Sequence, residues 1–473
     1  MPHRDRHQPR RGRRLSARRG RPGAGPAAAP GRDETPALIP PGSGRSQAKQ
    51  HTSQPREARM NLRSMRLGPS LCVLLMAAGL SGPALAETAE IRFFIPGASD
   101  EVSQKTLPGF IADFEAKNPD IKVKVEGVGW DEAFQKLSTD FIAGRAADVV
   151  YIGTRNVAEL SMMGAIQPVD GLVDAATLGR IPETLRQAAQ FGGKQMAVPM
   201  AFSTQALYYR TDLIPTPPKS WDELVATAKA VMEKNPGMYG YATSAAAHVT
   251  LVSQFLNFVY QNGGEAFDSS GETKINSPEA VAALQFYVDL FQKDKVVPNP
   301  LELNREQHPP LFAQGKIAMM VSGPWGKSIM GLPPDNKTAP YAVAPLPCGK
   351  ECKGEQVSDS LAISAKSEHP EAAGKFVAYL LQPEVHAKWD DQRGLVPLLA
   401  EEEQMDTFKT PFWQTFIAMK ASGFAQPTPR AWQPFEKILV EAVQSAILGK
   451  ATPQEALDAA AEKIRKARIE PRA

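Results

Sequence analysis

The chain is poor in cysteine and histidine and has no apolar run of membrane-spanning length. Only three cysteines (Cys72, Cys348, Cys352) and seven histidines occur in 473 residues. That excludes a cysteine-dense disulfide scaffold. It also leaves no paired Cys/His spacing for a structural zinc site, which needs about four ligands. No P-loop, HExxH or GxSxG segment is present, so no familiar catalytic class is indicated. The apolar stretch Leu71–Leu80 is about half the roughly 20 residues a spanning helix requires. No metal or cofactor is expected.

That short stretch belongs to a different pattern. Residues 60–86 read MNLRSMRLGPSLCVLLMAAGLSGPALA. Arg63 and Arg66 form a basic leader, Leu71–Leu80 an uncharged core, and Ala84-Leu85-Ala86 a small-residue cleavage site. This predicts a secretory signal peptide and a periplasmic product. Cys72 lies inside the apolar core, where a lipid-modified cysteine at the cleavage point could not be. Residues 1–59 are rich in Arg, Pro, Gly and Ala and cannot bury a core. A basic extension ahead of a secretion signal serves no export purpose, so it is expected to be a misplaced start, with Met60 or Met65 as initiator.

Charge then changes sign. The whole chain carries +3, with a pI near 8.6. Residues 1–86 hold 16 basic and 4 acidic residues, a net of +12, so the remainder carries −9. An acidic exported chain argues against nucleic acid as a partner. Within it Cys348 and Cys352 stand in CGKEC, and an oxidising compartment favours a disulfide between them.

The remaining 387 or so residues suffice for two domains. Strands are expected at 91–95, 121–125, 148–152, 239–243 and 316–321. Helices are expected at 106–117, 130–143, 221–232, 249–261, 277–291, 370–381, 435–448 and 453–467, from apolar spacing and from caps such as Ser220 and Ser277-Pro278. Strand–helix–strand–helix–strand at the start predicts a parallel sheet with right-handed crossovers, hence an α/β fold. Ligands of such sheets bind beyond the carboxyl ends of the strands. That selects Gly97-Ala98-Ser99, the turn before Trp130, and Gly153-Thr154-Arg155.

The succession PGFIADFEAKNPDIKVKVE, FIAGRAADVVYIGT, AVPMAFSTQALYYRTDL, NGGEAFD, FAQGKIAMMVSGPW, SDSLAISAKSEHPEAAGKFVAYLLQPE, RGLVP and PRAWQPFEKILVEAV resembles the periplasmic solute-binding proteins of ABC importers. These are the family-1 extracellular class that includes maltose-type sugar binders, and the resemblance spans nearly all of 87–465. It implies a two-lobe fold with crossing hinge segments, an N-terminal lobe of 87–205 plus 357–403 and a C-terminal lobe of 206–356 plus 404–473. It further implies a monomer that delivers a sugar-type solute to an inner-membrane permease and catalyses nothing.

Trp130, Trp325 and Trp432 match ligand positions of that family, where flat rings meet sugar faces. Trp221, Trp389 and Trp413 are expected in the core. Ser99, Asp100, Gly153, Thr154, Glu265 and Asp359 are polar candidates for orienting hydroxyls, and Arg393 and Arg430 are the basic candidates. Arg155 stays open between ligand and solvent, as does Asp100 between ligand and turn cap. If both Arg393 and Arg430 faced the cleft, a sugar acid, sugar phosphate or glycerol phosphate would be favoured, because guanidinium forks bind oxyanions bidentately. The maltose-type pattern is not matched at Ile152-Gly153-Thr154-Arg155, which argues against maltodextrin. Two other classes compete. A glycosidase would need Glu265 paired with Asp100 or Asp359 across a cleft. A ferric carrier would use Tyr208-Tyr209, but neighbours on a strand point to opposite faces.

Overall fold

A computed structural model describes residues 88–333 and 336–470. The signal segment 60–86 and the basic head lie outside the described residues. The first strand, β1 (Ala89–Phe94), leads into helix α1 (Glu101–Lys117), strand β2 (Ile121–Glu126), helix α2 (Trp130–Ile142) and strand β3 (Val149–Gly153). Strand β1 pairs in parallel with both β2 and β3, the arrangement the alternation predicts. The sheet is not parallel throughout. The long strand Gly354–Ser364 runs antiparallel to β3 and also to Val198–Ser203, and it takes Gly423–Ala425 in parallel at its start.

A second, antiparallel sheet has the order Tyr341–Ala344, Ala206–Arg210, Met319–Ser322. Two large apolar cores form, and the second sheet contributes one face to each, Tyr208 and Met320 to one and Leu207 and Met319 to the other. One is built on Phe93, Phe110, Phe114, Phe376 and Trp389, the other on Phe255, Leu256, Tyr287, Trp432, Phe435 and Leu439. The chain passes between the sheets where Val357 pairs with Ser203 and Gln356 with Ala425, so three segments cross side by side.

Several expectations are met closely. Ser220 caps the helix Trp221–Lys234, and Ser277 caps Pro278–Gln292 with proline in its first turn. The helix Val249–Gln261 has the expected bounds. Trp389 and Trp413 are fully buried, and Trp221 stacks on Phe286 at 4.5 Å. The Cys348–Cys352 disulfide is formed. The helix expected from 435 starts at Trp432 and the strand expected from 316 starts at Met319, and two further elements differ more. Helix α1 starts five residues earlier than the expected 106, because Asp100 caps it by accepting from the Ser103 amide. Pro108 therefore sits inside the helix, although a proline near a helix start normally marks the first turn. The strand expected at 239–243 reduces to one bridge, Tyr239 to Ile317. Among the described residues no helix is long and apolar enough to cross a membrane.

Candidate functional site

The carboxyl ends of β1 and β3 open onto a cavity of about 220 Å³. Asp100 at the start of α1, Trp130 at the start of α2, Tyr151 and Arg155 line it from the first sheet. Ser253, Arg305, Glu306 and Trp325 line it from the opposite side. Asp359 on the long strand and Arg393 at the end of the helix Pro383–Arg393 complete the walls. Both halves of the molecule therefore contribute polar and aromatic groups to one space.

Local geometry aims these side chains. Trp130 meets Tyr151 edge-on, with ring centroids 6.2 Å apart. Trp325 folds back over Gly323, where an added Cβ would fall 1.9 Å from the indole. The Arg305 guanidinium lies 4.8 Å over the Trp325 ring, and Arg393 lies 4.9 Å over Trp389. Gly394 adopts φ +69° just after Arg393, and its Cα side approaches the Trp325 backbone so closely that a Cβ would meet it at 2.5 Å. Only glycine tolerates both that φ and that approach.

Electrostatics set the protonation states. Asp359 accepts from the Tyr151 hydroxyl at 3.2 Å. Burial pushes its carboxyl up to about 6, against the opposing pull of Arg155. Burial also drives the Tyr151 phenol well above its ordinary range and lowers the Arg393 guanidinium. Behind the cavity, Glu355 is fully buried. Its carboxylate accepts from Ser253, from Gln205 at 3.2 Å and from Gln426 at 3.0 Å. Ser253 in turn accepts from Arg305 at 3.3 Å. This chain of contacts connects the cavity wall to the strand at the crossing between sheets.

The structure brings Asp100, Trp130, Trp325, Asp359 and Arg393 together around this cavity. Asp100 caps α1 and also borders the cavity. Gly153 lines a small neighbouring crevice with Trp130 and Arg155. Thr154 is buried, and its hydroxyl is engaged with Ser360 at 2.8 Å. Ser99, Glu265 and Arg430 are exposed and do not line the cavity. Trp432 is fully buried in the second core, its indole N–H donating to Glu436. With Glu265 elsewhere, the carboxylate pair of the glycosidase reading is not assembled. Tyr208 and Tyr209 join different cores, and the Tyr208 hydroxyl donates to the Gly323 carbonyl, so they do not converge as a ferric site.

Sequence reasoning missed Arg305, Ser253, Glu306 and Gln426. Arg305 follows Asn304, which caps a single short turn; nothing in that loop marks it as cavity-facing. Arg155 had a usable signal, one residue beyond a strand end that the fold exposes to ligand. Among the described residues the tightest group of potential metal-ligating atoms is His386, Asp390 and Glu402, within 4.8 Å of one another. Most of its atoms already have protein partners, Asp390 Oδ1 being buried without one. His386 Nε2 donates to the Met200 carbonyl at 2.8 Å, its Nδ1 meets Glu402 at 2.7 Å, and Glu402 accepts from the Leu398 and Leu399 amides. The arrangement is a buried clamp between a helix and the turn after it.

Residues 98–387 match the family of bacterial extracellular solute-binding proteins. A protein described as a binding protein in Brucella abortus (strain 2308) is 32% identical over 403 residues, covering 82% of this chain and 96% of that one. Maltose-bound MalE3 of T. maritima superposes with a TM-score of 0.74 at 25% identity, over 80% of this chain and 100% of that one. A solute-binding protein of Thermotoga lettingae bound with α-D-tagatose gives 0.75 at 25% identity, over 80% and 99%. With a two-lobe α/β architecture and one cavity lined from both sides, the chain belongs to the bacterial extracellular solute-binding protein family, the substrate-binding components of ABC importers.

Proposed function

We propose that this protein captures a sugar or sugar-like solute in the cavity between its lobes and presents it to an inner-membrane permease. The proposed lobes are 87–205 plus 357–403 and 206–356 plus 404–473. The proposed mature chain begins after Ala86 and acts as a monomer in the periplasm. The observation that carries this reading is the pairing of Trp130 and Trp325 with Asp100, Asp359 and Arg393 around one cavity. Indole faces cover the apolar face of a pyranose or furanose ring, while carboxylates and guanidinium groups fix its hydroxyls. Relatives of similar fold hold maltose and α-D-tagatose, which supports the same class here.

Transport follows from closure. Ligand that touches both lobes binds the closed arrangement better than the open one and shifts the population toward it by that difference in affinity. The crossing segments around Ser203 and Val357, and the stretch 404–425 that returns beside them, are where such a rotation would be absorbed. His248 already reaches across, its Nε2 lying 2.8 Å from Asp131 at the start of α2. Isothermal titration against neutral sugars, polyols, uronates and sugar phosphates tests the reading. A saturable binder whose affinity falls at least tenfold in Trp325→Ala supports it. Absence of any binder across the panel contradicts it.

A further inference from the structure

We propose that the solute carries an oxyanion, a carboxylate or phosphate on a frame of about one sugar ring, and that Arg155 and Arg305 hold it from opposite walls. This rests on the cavity being the solute site. Three guanidinium groups line that cavity, and none forms a bidentate pair with a carboxylate. Arg155 is 8% exposed, has no hydrogen bond or ion pair with a described residue, and leaves its Nε buried without a partner. Its guanidinium packs against Gly153 and lies 5.4 Å from the Trp432 ring. The Arg305 Nε is likewise buried and unpartnered. Its other contacts are Ser253 at 3.3 Å and Glu306 at 3.9 Å. Arg393 reaches only the hydroxyls of Ser103 and Thr106, at 3.2 and 3.5 Å.

Two arginines elsewhere in the same molecule behave differently. Arg92 grips Glu126 with two bonds of 2.7 and 2.8 Å, and Arg210 grips Asp212 with bonds of 2.8 and 2.5 Å. The cavity arginines lack such a fork partner, as does Arg180, whose Nε is also buried and unpartnered but which lies away from the cavity. Of the cavity carboxylates, Glu306 also leaves one oxygen buried without a hydrogen-bond partner, whereas the others are supplied. Asp359 accepts from Tyr151, Asp100 from the Ser103 amide, and Glu355 from Ser253, Gln205 and Gln426. No carboxylate among the described residues reaches Arg155 by hydrogen bond or ion pair.

A buried cation without a partner is costly, and a ligand oxyanion removes that cost while matching the guanidinium fork. Trp432, expected from sequence to meet the ligand, instead forms the floor that holds Arg155 in place. Trp130 and Trp325 remain for the ring. The cavity of about 220 Å³ is below the roughly 300–1,000 Å³ of drug-sized sites, which favours one ring with its charged group over an oligosaccharide.

Titration calorimetry with D-galacturonate, D-glucuronate and D-glucose 6-phosphate, each against its neutral parent sugar, tests the inference. At least one anionic member should bind tenfold or more tighter than its parent, and the preference should weaken with added salt. Arg155→Gln should remove most of that preference while leaving the unfolding temperature near wild type, since the side chain forms no bond to lose. Should that variant fail to fold, Arg305→Gln carries the same expectation. Preference for the uronates identifies a carboxylate solute, and preference for the sugar phosphate a phosphorylated one. A neutral parent that binds as well as or better than its anionic form overturns this inference but leaves the sugar reading standing. Binding by neither kind overturns both.

Discussion

Two buried polar clusters lie in this molecule, and they are built on opposite plans. At His386, Asp390 and Glu402, charge meets charge. Burial alone would lower the imidazole, but Asp390 and Glu402 outweigh it and push His386 up to about 9, while burial drives Asp390 well above the ordinary carboxylate range. Both nitrogens of the ring are engaged. Around the cavity, Arg155 and Arg305 are held by aromatic rings and left with donors unfilled. The lesson is that satisfaction, more than burial or charge, separates a structural cluster from a binding one. In the clamp the cation is answered by carboxylates and only Asp390 Oδ1 lacks a partner, whereas around the cavity guanidinium donors stand unfilled.

The comparison breaks most visibly at the clamp. Glu402→Ala leaves a buried imidazolium short of its closest partner and should cost about 3–5 kcal/mol, read as a shift in the urea midpoint. The folded fraction should still bind solute with unchanged affinity. A loss of affinity with stability preserved would reverse the assignment of roles. The same clamp gives a pH signature. The His386 pKa is raised from an unfolded value of about 6.5 to about 9. Its contribution is therefore full below about 6.5 and lost as pH rises through about 9. Unfolding temperature should fall over that alkaline range in wild type and more shallowly in His386→Gln.

A smaller effect is expected at Gly153. An added Cβ there would fall 2.4 Å from Arg155 Nη1, so Gly153→Ala should displace the guanidinium. Affinity for an anionic sugar should drop roughly tenfold, with much less change for its neutral parent, as measured by calorimetry. The smallest effect sharpens the charge balance. Burial places the Asp359 carboxyl near 6, so it is ionised at pH 8 and protonated at pH 5. Its negative charge sits among Tyr151, Arg155, Arg305 and Arg393 and competes with an incoming anion. Affinity for a uronate should therefore rise several-fold as pH falls through about 6, a rise that Asp359→Asn should abolish.

Much of the fold was legible in the sequence because periodicity and caps are local signals. The parallel β1–β2–β3 unit, the caps at Ser220 and Ser277 and the disulfide in CGKEC all follow from neighbouring residues. Strand ends selected Trp130 and Arg155, which line the cavity, and also Gly97, Ala98 and Ser99, which do not, since order alone defines the carboxyl edge of a parallel sheet but not where each side chain turns. Family position placed Trp325, Asp359 and Arg393 around the cavity. It did not place Trp432 there, because only packing tells whether a ring at the head of a helix turns inward: that indole lies in the second core under Arg155. Arg430, two residues away, turns to solvent. Arg305 was invisible for a related reason. It stands in a one-turn loop whose direction is set by contacts with Trp325 and Ser253, distant in sequence.

The central claim is that one solute is held from both sides of the cavity, with Arg155 on one wall and Arg305 on the other. The most direct test is calorimetric titration of the best-binding sugar into wild type, Arg155→Gln and Arg305→Gln. The account predicts that each substitution alone weakens binding at least tenfold. If one of them leaves affinity unchanged, the solute is held from one side only, and the account is contradicted.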